Sequence, residues 1–336
     1  MESLIYPLHC EEKLVKKVDT VILLAAGYGS RLNPITKSIP KTMIEIGGKP
    51  ILEYIIEDCK KNGITNIGIV VSHLKKQIID YFGNGKKFGV KIKYFQQRHL
   101  SGTSDALFEA RSFVKNKSFV VYLADTIIPK GLKEFLKCAN NENLIMVSQL
   151  SKNEAKISGI VKLNKNKIIS LEEKSQNPST CFGIAGVYYF KSNEIFQVIK
   201  NSVQTKNKEN HITDAIQKFI GNGNYVYVFK NKTKFLDMGN ISGLIKVSKL
   251  LQKEEISIGK DTKIDSKSKI YKFSHIGKNC VIENTKVGPY VSIGDNSIVK
   301  SGSKIKNSIL VKKSRVSNRY EIINTLWKNG KNNVKQ

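Results

Sequence analysis

Long apolar runs are missing from this chain of 336 residues. No stretch approaches the roughly 20 apolar residues that a membrane-spanning helix needs. A basic start followed by an apolar segment is missing too: the chain opens MESLIYPLHCEEKLVKK, so no secretory signal is read there. Cysteine is scarce, with five residues at 10, 59, 138, 181 and 280 that are odd in number, scattered and without a CxxC pair. That spacing argues against a disulfide framework and against a zinc site, and the expected location is cytoplasmic. Acidic residues are few, 28 against 56 Lys and Arg, which leaves a net charge of +28. Clustered positive charge can serve a nucleic-acid backbone or an acidic membrane. Here the basic residues are almost all lysine, spread evenly in runs no longer than two, with no RNA-binding aromatic signature beside them. The excess reads as a solvated lysine-rich surface in a chain also rich in Asn and Ile. Neither membrane nor nucleic acid is an expected partner, whereas an anionic substrate would gain from the same field.

What is present describes a globular protein: 40% hydrophobic and 8% aromatic residues allow an adequate core. The length suits one large domain and a smaller one. Residues 19–250 alternate strand-like and helical patterns, which predicts an α/β domain with a Rossmann-like, mostly parallel sheet. The expected elements are strand 20–24, helix 51–61 ending before Gly63, strand 67–71, helix 75–82, strand 90–95, helix 104–114 and strand 119–123. The strand-rich segment 144–190 is expected to form a lid-like β layer over that sheet. The extension 1–18 fits neither pattern.

From residue 256 the period changes. Ile258, Ile264, Ile270, Ile276 and Ile282 recur every sixth position, and after one five-residue step Val287, Ile293, Val299, Ile305 and Val311 resume the series. Glycine follows the aliphatic residue at 259, 277, 288 and 294. Neither an α-helix nor an ordinary strand explains a period of six. Short parallel strands coiled around a triangular prism do, in roughly three coils of about 18 residues, each face turning one aliphatic side chain inward. The pattern resembles the left-handed parallel β-helix of hexapeptide repeats. It is expected over 256–318, with a tail over 319–336 in which 320–327 caps the open end.

The chemistry concentrates in 23–52. Strand TVILL runs into AAGYGSRLNPITKSIPK, and Gly27 and Gly29 let backbone N–H groups approach phosphate oxygens. A Gly-x-Gly turn alone is also an ordinary strand exit. Arg31 and Lys41 add a bidentate guanidinium and a compact ammonium to the same loop, which suits a triphosphate. A Walker A loop is excluded because Gly-Lys-Ser/Thr is absent. A dinucleotide fingerprint is excluded because Pro34 and Pro40 interrupt the helix it needs.

As it stands, LLAAGYGSRLNPITKSIPKTMIEIGGKPIL resembles the sugar-phosphate nucleotidylyltransferase family, which includes glucose-1-phosphate thymidylyltransferases and N-acetylglucosamine-1-phosphate uridylyltransferases. The resemblance continues for about 220 residues in the family's order. It implies a nucleotide site of Ala25, Ala26, Gly27, Gly29, Ser30 and Arg31, with Gln97 facing the base, Gly102 the nucleoside and Thr103 nearby. It implies a sugar site of Gly159, Glu173, Lys174 and Glu209, and Mg²⁺ held by Asp125 and Asp237. Arg31, Lys41 and Lys174 are the implied catalytic cations. The reaction implied is in-line attack of a sugar-1-phosphate on the α-phosphorus of an NTP, releasing pyrophosphate.

Three departures bear on substrate. Ala26-Gly27 stands where relatives using dTTP or ATP commonly carry two glycines, which leans toward UTP or CTP. Phe235 replaces the usual tryptophan before Leu236-Asp237. His211 stands where thymidylyltransferases carry a second glutamate, so the sugar is left open between glucose-1-phosphate and N-acetylglucosamine-1-phosphate. His211 itself is expected to pack at a helix start. Two other readings remain: a regulatory subunit without activity, and a bifunctional enzyme with an acyltransferase in the β-helix, whose one histidine is His275. Stacked coils also present flat faces for a homo-oligomer.

Overall fold

Near-continuous apolar strands such as TVILL and FVVYL can be stable only where both faces of a sheet are covered, as in parallel α/β sheets. The computed structural model, which describes residues 18–202, 209–329 and 331–332, buries TVILL at every position. Apart from Val18, the extension read over 1–18 lies outside the described residues, as does part of the tail over 319–336. The chain divides into two compact units, Met1–Gly27 with Ile56–Phe235 and Tyr28–Ile55 with Leu236–Gln336. The loop carrying Arg31 and Lys41 therefore groups with the β-helix.

The first unit is built on a nine-stranded sheet. In chain order its strands are β1 (Thr20–Leu24), β2 (Asn66–Val71), β3 (Lys91–Gln96), β4 (Phe119–Leu123), β5 (Asn143–Gln149), β6 (Gly159–Asn164), β7 (Lys167–Glu173), β8 (Phe182–Phe190) and β9 (Val226–Lys230). They lie in the order β3-β2-β1-β4-β8-β5-β9-β7-β6. Pairing is parallel from β3 through β4 and again between β5 and β9. It is antiparallel where β8 joins β4 and β5, and where β7 joins β9 and β6. Edge strand β3 exposes Lys91 and Lys93, charges that discourage pairing with another chain.

Segment 144–190 is not a layer over this sheet, as its pattern suggested, but part of it. β8 is buried from Gly183 to Phe190 and pairs with β4 on one side and β5 on the other, so the sheet continues through it. Helices α1 (Ile51–Lys61), α2 (Lys75–Phe82) and α3 (Thr103–Glu109) follow the expected pattern, with one interruption. At Ala110 the N–H bonds to Leu107 O at 3.1 Å, an i to i−3 turn that ends α3 before a short helix Arg111–Val114. Further along lie α4 (Ile195–Ser202) and α5 (Ile212–Gly221). No helix among the described residues is long and apolar enough to cross a membrane. Cys59, Cys181 and Cys280 are free thiols, whereas Cys138 is disulfide-bonded, which the scattered spacing does not suggest.

In the second unit, α6 (Ile241–Leu251) precedes a three-sided parallel β-helix. Two of its faces have four strands each; the third has five parallel strands and a closing antiparallel one. Ile276, Ile293, Leu310 and Trp327 stack in register along the third face. The inward residue after Ile305 is Leu310, one position earlier than the six-residue series predicts, and Val311 lies outside the internal cluster. Pairing also runs on past residue 317: Ile322 stacks on Ile305, and Trp327, the bulkiest buried side chain, fills the last coil. Positive-φ corners at Phe273, Tyr290, Asn307 and Asn324 recur coil by coil, with Phe273 and Tyr290 stacked at 4.7 Å. Serines close other corners from inside, as where Ser314 N–H donates to Ser297 Oγ at 3.2 Å.

Candidate active site

At the carboxyl end of β1 the chain leaves the sheet under tight control. Ala124 N–H donates to Leu24 O at 3.1 Å and Ala25 N–H to Val70 O at 2.9 Å. Ser72 Oγ–H donates to Ala26 O. Ala25 and Ala26 are buried, whereas Gly27 is exposed. A Cβ at Gly27 would meet nothing within 4 Å and its φ is not positive, so the protein's own packing does not require glycine there. A close-lying ligand would. Gly27→Ala is therefore expected to melt within about 1 °C of wild type, since it meets no named destabilising mechanism. It should weaken NTP binding by roughly tenfold, the effect of about 1.4 kcal/mol of steric conflict. Calorimetric titration beside a thermal melt checks both.

In the second unit, Gly29 takes φ +65° and opens a short helical turn, Ser30–Leu32. A Cβ on Gly29 would stand 3.1 Å from Lys41 Cβ and 3.2 Å from Thr36 Cγ2, so glycine lets the Lys41 stem pack against the turn. Thr36 Oγ–H donates to Gly29 O at 2.9 Å and holds that turn closed. Lys41 is 8% exposed, while Ser30 and Arg31 are exposed.

Asp237 belongs to the same unit. Gly239 N–H donates to its Oδ1 at 2.8 Å. A Cβ on Gly239 would lie 2.9 and 3.1 Å from the Asp237 carboxylate oxygens and 3.3 Å from an Arg31 guanidinium nitrogen. Carboxylate and guanidinium thus converge on one backbone position. Gly243, in the first turn of α6, would place a Cβ 1.9 Å from Asp237 O, so only glycine fits against that carbonyl. Asn240 caps α6 by accepting from Gly243 N–H at 2.9 Å.

The remaining residues fall in the first unit. Gln97 is buried and donates from Nε2 to Gly102 O at 2.9 Å, bracing the loop for which the family resemblance implies contact with the base. Gly102 has φ +122°, and a Cβ there would lie 2.3 Å from Asn210 O. Asn210 N–H donates to Ser101 O at 2.7 Å, Ser104 N–H to Asn210 O at 2.9 Å, and Ile212 N–H to Thr103 Oγ1 at 2.9 Å. The 101–104 loop and the start of α5 are thereby stitched together. His211 sits at that helix start as expected, its N–H bonded to Asp214 Oδ2 at 3.2 Å, with exposed Glu209 3.7 Å from its Nε2.

Glu173 ends β7 opposite Gly159 in the register with β6. Its Oε2 accepts from Thr213 Oγ–H at 3.1 Å and would lie 2.9 Å from a Cβ on Gly159. Lys174 leaves the strand at φ +50°, donates its N–H to Ser158 O at 3.1 Å and keeps Nζ 3.9 Å from Glu173 Oε1. Half-buried Asp125 lies just past β4. Burial, then the charges of Glu173 and Asp125, push the buried Tyr188 phenol well up, so both carboxylates act on one ring. Within the first unit the structure thus braces the 97–104 loop against the start of α5 and sets Glu173 and Lys174 side by side at the end of β7. Within the second it gathers Gly29, Lys41, Arg31 and Asp237. Asn210, Thr213, Tyr188, Gly239 and Gly243 are supports that the sequence reading missed; no motif marks them.

The profile of the nucleotidyl transferase family matches residues 20–254, and a bacterial transferase hexapeptide profile of six repeats matches 274–307. This chain belongs to the sugar-phosphate nucleotidyltransferase family. The hexapeptide match accords with left-handed winding of the β-helix. The chain is 26% identical over 318 residues to a glucose-1-phosphate thymidylyltransferase of Streptomyces antibioticus, covering 88% of each protein. It is 32% identical over 320 residues to the bifunctional protein GlmU of Methanocaldococcus jannaschii, covering 88% of this chain and 74% of that one. A crystal structure of UDP-glucose pyrophosphorylase complexed with UDP-glucose superposes with a TM-score of 0.61 at 25% identity, over 69% of this chain and 97% of that one.

Proposed function

We propose that this enzyme joins an NTP to a sugar-1-phosphate with Mg²⁺, forming an NDP-sugar and pyrophosphate. The observation that carries the reading is the convergence of Arg31 and Asp237 at Gly239, on the unit whose Gly29 turn also presents Lys41. Phosphoryl chemistry of this kind needs positioning and charge neutralisation rather than a protein nucleophile. Arg31 and Lys41 hold the triphosphate and the departing pyrophosphate, and backbone N–H groups about Gly27, Gly29 and Ser30 complete the cradle. Lys174 neutralises the sugar phosphate and steers its oxygen toward the α-phosphorus. Glu173, Gly159 and Glu209 hold sugar hydroxyls; Thr213 keeps the Glu173 carboxylate turned toward Gly159.

Asp125 and Asp237 are the proposed Mg²⁺ ligands. Hard carboxylate oxygens suit Mg²⁺, which keeps several waters and takes its other ligands from substrate phosphates. When bound, the ion would offset negative charge around the reacting α-phosphate.

For the base, Ala26-Gly27 favours UTP, with dTTP and CTP as competitors. Glucose-1-phosphate and N-acetylglucosamine-1-phosphate are the leading sugars. A regulatory subunit without activity is the weaker reading, because every implied charged position is filled. A β-helix acyltransferase is weaker still: the His275 ring lies against Gly48 and its Nδ1 is 3.2 Å from Ser257 Oγ, so it packs rather than lines an acyl groove. A homo-oligomer would cover the first coil, where Ile258 is 51% exposed.

Incubation of the protein with Mg²⁺, each of the five common NTPs and a panel of sugar-1-phosphates tests the reading. Pyrophosphate is expected with one preferred pair, UTP leading. Silence with every pair would sink it.

A further inference from the structure

The segment 28–55 carries Arg31 and Lys41, yet much of what shapes it comes from the β-helix. Its hairpin, Glu45–Ile46 with Lys49–Pro50, docks on the five-stranded face. Ser292, 2% exposed, is the centre of that dock: Gly47 N–H donates to its Oγ at 3.1 Å, and its hydroxyl reaches Glu45 O at 3.4 Å. Lys312 pairs with the Glu45 carboxylate at 2.7 Å and lies 3.9 Å from Asp295. One coil below, the His275 ring packs under Gly48, where a Cβ would come within 2.7 Å of Cε1. Two coils above Ser292, Lys328 Nζ donates to Ser38 Oγ at 3.0 Å. Strands from successive coils therefore hold the segment at three separate points.

We infer that this β-helix face is the seat that keeps the phosphate loop in its reactive shape, with Glu45, Ser292 and Lys312 as positioning residues for Arg31 and Lys41. The inference rests on the reading that those two cations hold the triphosphate. The mechanical path is short. Ser38 lies between Thr36, whose hydroxyl closes the Gly29 turn, and Lys41, whose stem packs on Gly29. Glu45 follows Lys41 by four residues, and Ile51 N–H bonds to Ile44 O at 3.1 Å to close the hairpin's base. Burial pushes the Glu45 carboxyl up, and the Lys312 hydrogen bond and charge act against that push. Removing Lys312 would leave a half-buried acid without its cation, which favours a shift of the hairpin. A loop built on turns transmits such a shift, and misplacing a substrate-holding group by about 1 Å can cost up to about 10²-fold.

The test uses full-length Lys312→Ala, Lys312→Arg, Ser292→Ala and the charge swap Glu45→Lys with Lys312→Glu. Three quantities are read for each: NTP affinity by calorimetry without sugar phosphate, steady-state kinetics, and thermal melting. Lys312→Ala and Ser292→Ala are expected to weaken NTP binding about tenfold, well inside that limit, while the KM for sugar-1-phosphate stays within about twofold. Lys312→Arg should recover most of the affinity, and the charge swap, which sets a carboxylate against Asp295, should recover less. Melting below wild type with unchanged NTP affinity and kcat would mean that the dock serves stability only, and would overturn the inference. Failure of Lys312→Arg to recover affinity would also count against it. Wild-type protein that binds no NTP and turns over no substrate pair would instead defeat the reading beneath it.

Discussion

Lys41→Met is expected to lower kcat/KM for NTP by about 10²- to 10³-fold, the cost of removing one preorganised group that meets developing charge. Pyrophosphate leaves with more negative charge than it carried as part of the triphosphate. A cation already in place lowers that barrier without reorganisation. The geometry around Lys41 fits this part. Its Cβ and Cδ lie 3.1 and 3.5 Å from where a Gly29 Cβ would be, and the residue is 8% exposed. The stem is therefore packed before substrate arrives, and methionine keeps that packing while removing the charge. Lys41→Ala would mix the loss of charge with a loss of packing, so Met is the cleaner probe. Steady-state kinetics beside a thermal melt decides the matter: an unchanged melt with the rate loss supports the assignment. Activity within threefold of wild type would remove Lys41 from the site.

The second large effect is expected at the proposed metal carboxylates. Asp125→Asn and Asp237→Asn should each reduce kcat by about 10³-fold or more, since several kcal/mol of charge stabilisation are attributed to such an ion. Asparagine preserves shape and a carbonyl oxygen, so folding should survive. At Asp237 it also preserves an acceptor for Gly239 N–H, whereas alanine would leave that donor and the nearby Arg31 guanidinium without the carboxylate. The decisive readout is the Mg²⁺ concentration for half-maximal rate. It should rise by roughly tenfold or more in both variants, as loss of one charged oxygen ligand from a hard cation implies. Loss of rate with an unchanged Mg²⁺ dependence would place the two aspartates in some other role.

The loop 23–52 could be read from sequence because its parts are contiguous: glycines, Arg31, prolines and Lys41 fall on one short stretch and exclude rival phosphate motifs together. The supports could not, because each depends on how the chain folds back on itself in space. Gly102 owes its identity to the Asn210 backbone, and Gly243 to the Asp237 carbonyl. Neither relation leaves a local pattern. The same limit explains segment 144–190: strand patterning shows that FGIAGVYYF is extended, but not that β8 pairs with β4 rather than forming a layer of its own. In the β-helix the inward aliphatic series was plain through Ile305. It then slipped by one residue, because the step from Ile305 to Leu310 around the Asn307 corner is five residues rather than six, and the end of the repeat was missed because Trp327 does not look like a hexad aliphatic. Nor does anything in 28–55 announce that it groups with the coils. That follows from single contacts at Ser292, Lys312 and Lys328.

The proposed reaction is attack by a sugar phosphate on the α-phosphorus of an NTP. Phosphorus-31 NMR of the full-length protein with Mg²⁺, UTP and glucose-1-phosphate or N-acetylglucosamine-1-phosphate tests it most directly. The sugar-phosphate monoester and triphosphate signals should fall together while a diphosphate diester and pyrophosphate grow in equal amounts. Orthophosphate as the product, or pyrophosphate released at the same rate without sugar phosphate, would contradict it.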